Sequence, residues 1–253
     1  MSEYRAFTIH FDEQQSARAV LVNARSDSQL VMAALGIDVP QPVLFVSGGA
    51  SDMDSKDAGL IRAIVEEAIV DFAQEHGLAV IDGGTQAGVM QLLGEARQRR
   101  RATFPLIGVA PHPMVFYPNS PHKQGEVALQ AGHSHFVLMQ RGGWGHESQM
   151  IINLMRAISG GVKPMLVVLI NGGKIAEQDI YLATTQGSSP VPVLVLDGSG
   201  RKADEVSTAV KTGKTSSRII RAIVAGGAID LVSLHDGVQG MRAKLAQHFG
   251  VQP

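Results

Sequence analysis

The feature that most constrains this chain is a repeated unit in which a short apolar run ends in a glycine turn and a helical pattern follows. Such turns lie at Gly48-Gly49, Gly83-Gly84, Gly142-Gly143 and Gly198-Ser199-Gly200. Strands that alternate with helices predict a parallel sheet, whose strands end along one common edge. Glycines at that edge let a ligand reach bare backbone amides at helix N-termini. The repeated unit therefore predicts a pocket for an anionic ligand.

The composition fits one or at most two globular domains. The chain has 253 residues, of which 45% are hydrophobic, and this length is sufficient to bury a full α/β core. The absence of cysteine excludes a disulfide framework, a thiolate metal site and a cysteine nucleophile. A formal net charge of −1 argues against a nucleic acid partner, because binding along a phosphate backbone needs a basic surface.

The hydropathy pattern predicts no membrane span. The longest apolar run covers residues 165–170, far short of the roughly 20 residues that a bilayer-spanning helix needs. The first five residues are not typical of a signal peptide. We therefore expect a cytoplasmic protein.

The alternation of strands and helices predicts an α/β fold with a doubly wound, mainly parallel sheet and helices on both faces. We expect covering helices over residues 56–75 and 89–100, and further helices between the later strands. The expected strands cover residues 43–46, 78–81, 106–110, 136–139, 165–170, 191–196 and 229–234.

Two segments depart from this pattern. Residues 1–42 hold two short candidate strands, at 5–11 and 19–22, and we expect them to form an N-terminal appendage packed on a main domain of residues 43–253. Residues 111–132 are rich in Pro, His, Asn and Gly and show no period. Loops of this length usually act as lids or are mobile, and the sequence leaves both open.

The turn from Gly83 to Met90 is a candidate phosphate site. It leaves a strand and enters a helix, so that the amides of Gly83, Gly84, Thr85, Gln86, Ala87 and Gly88 lie near the positive end of a helix dipole. The Thr85 hydroxyl adds a further donor. Glycines at strand ends also serve close helix packing, so this motif alone does not decide the function.

The turn at residues 142–147 contains the chain's one tryptophan. Trp144 lies between Gly143 and Gly145 and is followed by His146 and Glu147. Its ring has two open roles, stacking on a base or ribose, or packing as a partly buried side chain.

The turn at residues 198–201 places a guanidinium at the start of a helix. Arg201 follows Gly198-Ser199-Gly200 and has the fork geometry that binds a phosphate. A further pair of imidazoles, His133 and His135, lies on one face of an incoming strand. Because no acidic third ligand has suitable spacing, we expect hydrogen-bonded core histidines and no metal site.

Taken in order from about residue 43 to residue 238, these motifs resemble the SLOG domain found at the cytoplasmic N-terminus of melastatin-type TRP channels, in its stand-alone prokaryotic form. The resemblance is carried by residues 46–50, including Gly48, Gly49 and Ala50, and by residues 81–90, 133–138, 144–147 and 167–204. It implies a Rossmann-like fold that binds nucleotide-derived ligands, with ADP-ribose and related NAD metabolites as the leading class. It implies no required cofactor.

By position, the resemblance places ligand contacts on three of the turns. They fall on Thr85, Ala87, Gly88 and Met90, on Trp144, and on Arg201. The chain departs from the channels at Ile151 or a neighbour, where those relatives carry an arginine. SLOG relatives commonly pair or attach to effector proteins, so the resemblance also implies a homo-oligomer or an effector partner.

The chain also resembles, more distantly, the lysine decarboxylase-like phosphoribohydrolases, which release a base from a nucleotide monophosphate. Their signature Gly-Gly-x-Gly-Thr-x-x-Glu begins here at Gly142, but His146 replaces the threonine and Gln149 replaces the glutamate. An amide cannot act as a general base or stabilise an oxocarbenium ion as a carboxylate does. Glu147 is the one nearby alternative, although an acid near a helix start is also favoured by the helix dipole.

Three hypotheses follow from the sequence. The first is a sensor that binds an ADP-ribose-like ligand between the glycine turns, with Trp144 near a base or ribose. The second is an N-glycosidase acting on nucleotides or NAD through Glu147. The third is an oligomeric scaffold whose pocket neither binds nor turns over a nucleotide.

Overall fold

The computed structural model describes residues 4–49, 57–187 and 189–252. Within these residues, nine strands form one sheet and two short strands form a separate ladder. The strands are β1 Tyr4–His10, β2 Ser16–Val22, β3 Val43–Gly48, β4 Ala79–Asp82, β5 Leu106–Pro111, β6 Val115–Phe116, β7 Val127–Ala128, β8 His135–Met139, β9 Met165–Ile170, β10 Val193–Asp197 and β11 Ile229–Ser233.

The order of the main sheet is β1-β2-β8-β5-β4-β3-β9-β10-β11. Among the described strands, β1 alone runs antiparallel to its neighbour. The chain builds outward from β3 through β4, β5 and β8, and then crosses back to β9, which pairs with β3 from Val43↔Met165 to Gly48↔Ile170. The β3/β9 pair is therefore the point where the strand order reverses, and open α/β sheets bind ligands at this point.

Helices cover both faces of the sheet, as the sequence predicts. The helices are α1 Ser28–Leu35, α2 Ala58–Ala63, α3 Asp71–His76, α4 Gly88–Arg100, α5 Ser148–Ser159, α6 Lys174–Thr185, α7 Arg201–Thr212, α8 Arg218–Gly226 and α9 Gly237–Phe249. A π-helical segment, Ile64–Val70, joins α2 to α3.

Two large apolar clusters hold these layers together. One cluster packs α1, α5, α6, α7 and α8 on one face, and the other packs α2, the π-helical segment, α3, α4 and α9 on the opposite face. Alternate residues of β3 enter different clusters, since Val43 and Phe45 face the first and Leu44 and Val46 face the second. Burial on both faces explains why this strand is an unbroken apolar run.

The first 42 residues contribute to the same sheet and the same core. β2 pairs in parallel with β8 from Arg18↔His135 to Val22↔Met139, and β1 covers the outer edge of β2. Val20, Val22 and the α1 residue Leu35 are fully buried in the first cluster. The expected appendage thus supplies two strands and a helix that pack against the rest of the chain.

The unpatterned segment at residues 111–132 holds little regular structure. It contains a short 3-10 turn, His112–Met114, and the two-residue strands β6 and β7, which pair with each other.

None of the helices in the described residues combines the length and the apolar character that a bilayer crossing requires.

Candidate functional site

A crevice opens beyond the carboxyl ends of the strands at the β3/β9 reversal. Its volume is about 330 Å³, at the lower end of the range for small-molecule pockets. We call it the β3/β9 crevice, and it is lined by residues 45–49, Gly83, Met90, Glu147, Ile151, residues 173–176, Asp179 and Arg201. Four of the predicted turns therefore contribute to one concave surface.

The start of α6 forms one wall of the crevice. Gly173 is the residue that precedes this helix, and no side chain in the described part of the chain caps it. The first amides of a helix have no acceptor within the helix, and they carry the positive end of its dipole. Lys174 and Ile175, in this first turn, line the crevice directly.

Arg201 reaches across this wall from the next turn of the chain. A methyl group added at Gly173 would lie 3.1 Å from Arg201 Nη2, and one added at Gly49 would lie 3.4 Å from Arg201 Nη1. The guanidinium therefore lies against the bare backbone of two glycines from different strand ends. Side chains at either position would crowd it.

Two residues at this edge adopt a left-handed backbone that non-glycine residues rarely show. Asn171 has φ 58° and Arg201 has φ 50°. The Asn171 amide donates to the Ser199 hydroxyl at 2.8 Å, and the Ala203 amide donates to the Asn171 carbonyl at 2.9 Å. These bonds tie the turn after β9 to the turn after β10, which holds Arg201 in place.

The deeper part of the crevice is acidic. Asp179, on the second turn of α6, is 5% exposed, and its Oδ2 accepts a hydrogen bond from the Ser47 hydroxyl at 2.8 Å. Burial raises the pKa of this carboxyl to about 7, and the nearby Glu147 charge acts in the same direction. Neither Asp179 Oδ1 nor the neighbouring Ser148 hydroxyl makes a hydrogen bond of good geometry within the described residues.

Glu147 lies in the same crevice, immediately before α5. Its Oε2 accepts a hydrogen bond from the Gly145 amide at 2.8 Å, and the side chain is buried. Burial raises the pKa of Glu147, and the two backbone amides beside it oppose this shift. The residue singled out in the sequence as the alternative catalytic acid therefore lines the crevice.

Trp144 lies outside the β3/β9 crevice. It borders a second cleft of about 330 Å³ with Gly145, His146, Gln149 and Gln178, and it is 36% exposed. The Gln178 side chain donates to the Gly145 carbonyl at 2.8 Å, so α6 separates the two cavities at this point. The His146 Nδ1 lies 3.1 Å from the Gly143 amide nitrogen and 2.9 Å from the Gly143 carbonyl oxygen, so the ring is hydrogen-bonded to this turn.

The turn after β4 contributes Gly83 and Met90 to the crevice, whereas residues 84–88, between them, do not line it. Thr85 is buried and bridges to Leu129, and the Gln86 amide donates to the Ala128 carbonyl at 2.8 Å. Residues 128–130 therefore cover this part of the turn. Among the described residues, the crevice lining does not include Gly84, Thr85, Gln86, Ala87 or Gly88.

The turn after β10 borders a third cleft, of about 450 Å³. Gly198, Ser199 and Gly200 line it together with Arg201, which also lines the β3/β9 crevice. Arg201 is therefore common to both cavities. Of the remaining predicted contacts, Gly48 and Gly49 line the crevice, and Ala50 lies outside the described residues.

His133, which precedes β8, is part of the core, and His135 is the first residue of β8. His133 Nε2 lies 2.7 Å from Asp82 Oδ1, and both side chains are fully buried. His135 is half-buried, and desolvation lowers its pKa to about 4. Within the described residues, no three His, Asp or Glu side chains are grouped closely enough to hold a metal ion.

Sequence reasoning missed Asp179 because it lies in the middle of a helix, away from any glycine turn. A signal was present, since Asp179 occupies the same helical face as Ala176, Ile180 and Ala183, all of which are buried. An acidic residue within an apolar stripe is unusual, and here it faces the crevice.

The sequence is similar to part of each of several transient receptor potential cation channels of subfamily M. It is 30% identical over 214 residues to transient receptor potential cation channel subfamily M member 2 of Rattus norvegicus, which covers 71% of this chain and 14% of the channel. It is 27% identical over 284 residues to subfamily M member-like 2 of Nematostella vectensis, covering 94% of this chain and 17% of that protein. The chain thus matches about a seventh of the rat channel's length.

The fold has a counterpart among solved structures. The X-ray structure of TM1055, a structural genomics target, aligns with a TM-score of 0.52 and 18% identity, covering 82% of this chain and 99% of that one. A family model described as "SLOG in TRPM, prokaryote" matches residues 41–241. The chain therefore belongs to the SLOG family, in the prokaryotic form of the domain found in TRPM channels.

Proposed function

We propose that this domain binds a nucleotide-derived ligand, such as ADP-ribose or a related NAD metabolite, in the β3/β9 crevice. The observation that carries the proposal is the meeting of three anion-binding features at the strand-order reversal. These are the bare Gly48-Gly49 backbone, the uncapped start of α6 and the Arg201 guanidinium. Each is a feature that recurs at phosphate sites.

The phosphate lies at the Arg201 end of the crevice. Hydrogen bonds from a guanidinium and from helix N-terminal amides to an anion are charge-assisted, and each contributes about 1.5–3 kcal/mol. Micromolar affinity needs about 8.2 kcal/mol after the entropy loss of association, so these bonds must act together with burial of the base and ribose. A dinucleotide-like ligand extends from there toward the third cleft, because Arg201 lines both cavities.

Calorimetric titration of the protein with ADP-ribose, cyclic ADP-ribose, NAD and AMP tests the proposal. We expect saturable binding of at least one of these compounds, and we expect Arg201→Ala to weaken it at least tenfold through the lost charge-assisted bonds. Arg218→Ala, at the exposed start of α8, is the matched control and should leave the affinity unchanged. Heat signals absent for all four compounds would refute the proposal.

A second candidate function, hydrolysis of an N-glycosidic bond, is favoured by the pair of buried carboxyls. Glu147 and Asp179 line the same crevice, and burial raises the pKa of both. In this reaction water attacks the anomeric carbon, the C–N bond breaks, and the base leaves with the proton that a carboxylic acid supplies. Of two neighbouring carboxyls, one can supply a proton as the acid while the other, when ionised, activates the water.

The hydrolase candidate predicts free base or nicotinamide in the reaction mixture, which chromatography detects. Glu147→Gln should abolish this product while nucleotide binding persists, because Arg201 and the α6 amides are unchanged. If incubation with nucleotides and NAD releases no base, binding without turnover is the remaining function.

A further inference from the structure

We propose that Asp179 selects the ligand through its base, by accepting a hydrogen bond from an N–H donor of the base while the phosphate lies against Arg201. The inference rests on the proposed function and adds the chemical class of the ligand. That class is a phosphorylated nucleoside or dinucleotide whose base carries an amino or amide N–H group.

The crevice has a cationic end and an acidic end. Arg201 and Lys174 line it at the first turn of α6, and Asp179 and Glu147 line it further in. Asp179 follows Gly173 by six residues, a separation of about 9 Å along the helix axis. A ligand with a phosphate at one end and hydrogen-bond donors at the other matches this arrangement.

One carboxyl oxygen of Asp179 is incompletely satisfied, although the Ser148 hydroxyl lies close enough to lower the pKa of this carboxyl. Ser47 donates to Oδ2, whereas Oδ1 is buried without a hydrogen bond of good geometry among the described residues. A buried acceptor without a partner is costly to keep, and a ligand donor that reaches it recovers this cost. Among the residues that the structure describes, the Ser148 and Ser47 hydroxyls lower the pKa of Asp179, and no cationic side chain does so.

The acidic end also fixes the orientation of the ligand. A phosphate placed beside Asp179 and Glu147 would meet like charges in a desolvated site, which is unfavourable. A base with an exocyclic amine meets two acceptors there instead. The apolar side chains of Phe45 and Ile151, which line the crevice as well, suit the body of such a base.

The test compares two nucleotides that differ in one group. AMP carries the 6-amino donor, and purine riboside 5′-monophosphate lacks any N–H donor on its base. Titration of the wild-type protein should give an affinity for AMP at least tenfold higher, as expected for one hydrogen bond to a charged acceptor. Equal affinities for the two nucleotides would overturn the inference and leave the proposed function standing.

Variants assign the discrimination to Asp179. Asp179→Ala should bind AMP only as tightly as purine riboside 5′-monophosphate, with the affinity for the latter changed less than twofold. Asp179→Asn keeps the shape of the side chain and one neutral acceptor, so it should retain part of the preference for AMP. It also keeps the test valid if the alanine variant does not fold. Asp230→Ala, on β11 and paired with Lys244, is the control and should keep the full preference.

The outcomes distinguish a failure of the proposed function from a failure of the inference about Asp179. Binding of neither nucleotide, nor of ADP-ribose, would refute the proposed function itself. A preference for AMP that survives in Asp179→Ala would show that another residue reads the base, which contradicts the inference.

Discussion

Two buried aspartates of this fold differ in their hydrogen-bond partners, although each keeps one carboxyl oxygen without a hydrogen bond among the described residues. Asp82, at the end of β4, accepts hydrogen bonds through Oδ1 from His133 at 2.7 Å and from the Gly84 amide at 2.7 Å. Asp179, on α6, is bonded through Oδ2 to a serine hydroxyl and lies near another acid, Glu147. One carboxyl is bonded to protein donors that hold a turn, and the other faces a cavity.

From this difference we infer that the Asp82 carboxyl stabilises the fold and that the Asp179 carboxyl is available to a ligand. The Asp82–His133 contact fastens the turn after β4 beneath residues 128–133, and it lies outside the β3/β9 crevice. Asp179 lies on the crevice wall with a raised pKa, and such groups are candidates for function. A buried polar group that destabilises the protein and makes no compensating contact within the fold is typical of a binding site.

The largest effect should come from removing Asp82. Asp82→Ala leaves the His133 ring and the Gly84 amide without their acceptor in a fully buried site, and we expect a loss of about 3–5 kcal/mol in the free energy of unfolding. Denaturant titration measures it. Asp230→Ala, which breaks a partly exposed pair with Lys244, should cost less than about 1 kcal/mol, and equal losses in the two variants would contradict the assignment.

The next largest loss in the free energy of unfolding should come from disturbing the close packing at Gly84, beside Asp82. Gly84 has φ 69°, and a methyl group there would lie 2.7 Å from the Gly108 Cα. Gly84→Ala should cost about 2–4 kcal/mol through backbone strain and overpacking. Gly77→Ala is the matched control, because φ is 61° and nothing lies within 4 Å; its cost should be only about 1 kcal/mol, as measured by thermal unfolding.

Removing the charge of Asp179 should raise the stability of the protein, whereas removing Asp82 should lower it. Asp179→Asn removes a buried charge and keeps the Ser47 partner, so we expect the free energy of unfolding to rise by about 1–3 kcal/mol at about pH 8. Chemical denaturation of both proteins in one buffer measures the difference. A loss of stability would show that the Asp179 charge supports the fold, as Asp82 does.

The gain from Asp179→Asn should depend on pH. The pKa of Asp179 is about 7 in the folded protein, against 3.8 for an ordinary aspartate, so folding takes up a proton between these values. The wild-type protein therefore gains stability as pH falls from about 7, and the charge penalty is complete above that value. The advantage of the asparagine variant should shrink by more than half between about pH 8 and about pH 5, and a constant advantage would contradict the raised pKa.

The smallest effect on stability should occur at the cationic end of the crevice. Gly173→Ala places a methyl group 3.1 Å from Arg201 Nη2, without a positive φ to strain the backbone. The free energy of unfolding should change by less than about 0.5 kcal/mol, whereas ADP-ribose affinity should fall roughly fivefold. Gly59→Ala, where the added methyl meets nothing within 4 Å, should change neither ligand affinity nor fold.

Much of the fold could be predicted from the sequence, because strands and helices are marked by local patterns. The apolar run at β9 and the glycine turns predicted the elements and the parallel sheet correctly, and residues 165–170 form a strand with the expected bounds. The order of strands depends on contacts between distant segments. For that reason the pairing of β2 with β8 could not be derived from residues 1–42.

The site was predicted less completely, for a similar reason. Gly49, Gly83 and Arg201 mark turns that can be found locally, and they line one crevice. Thr85 has the same local signal, but its turn is covered by the bridge to Leu129, which lies 44 residues later in the chain. Asp179 has no turn signal at all, and its place in the crevice depends on contacts with β3 and α5.

A crystal structure of the protein with bound ADP-ribose tests the central claim most directly. We expect ligand density in the β3/β9 crevice, with phosphate oxygens within hydrogen-bond distance of Arg201 and the first amides of α6, and with the base toward Asp179. Density for the nucleotide elsewhere on the surface, with the crevice filled by water, would contradict it.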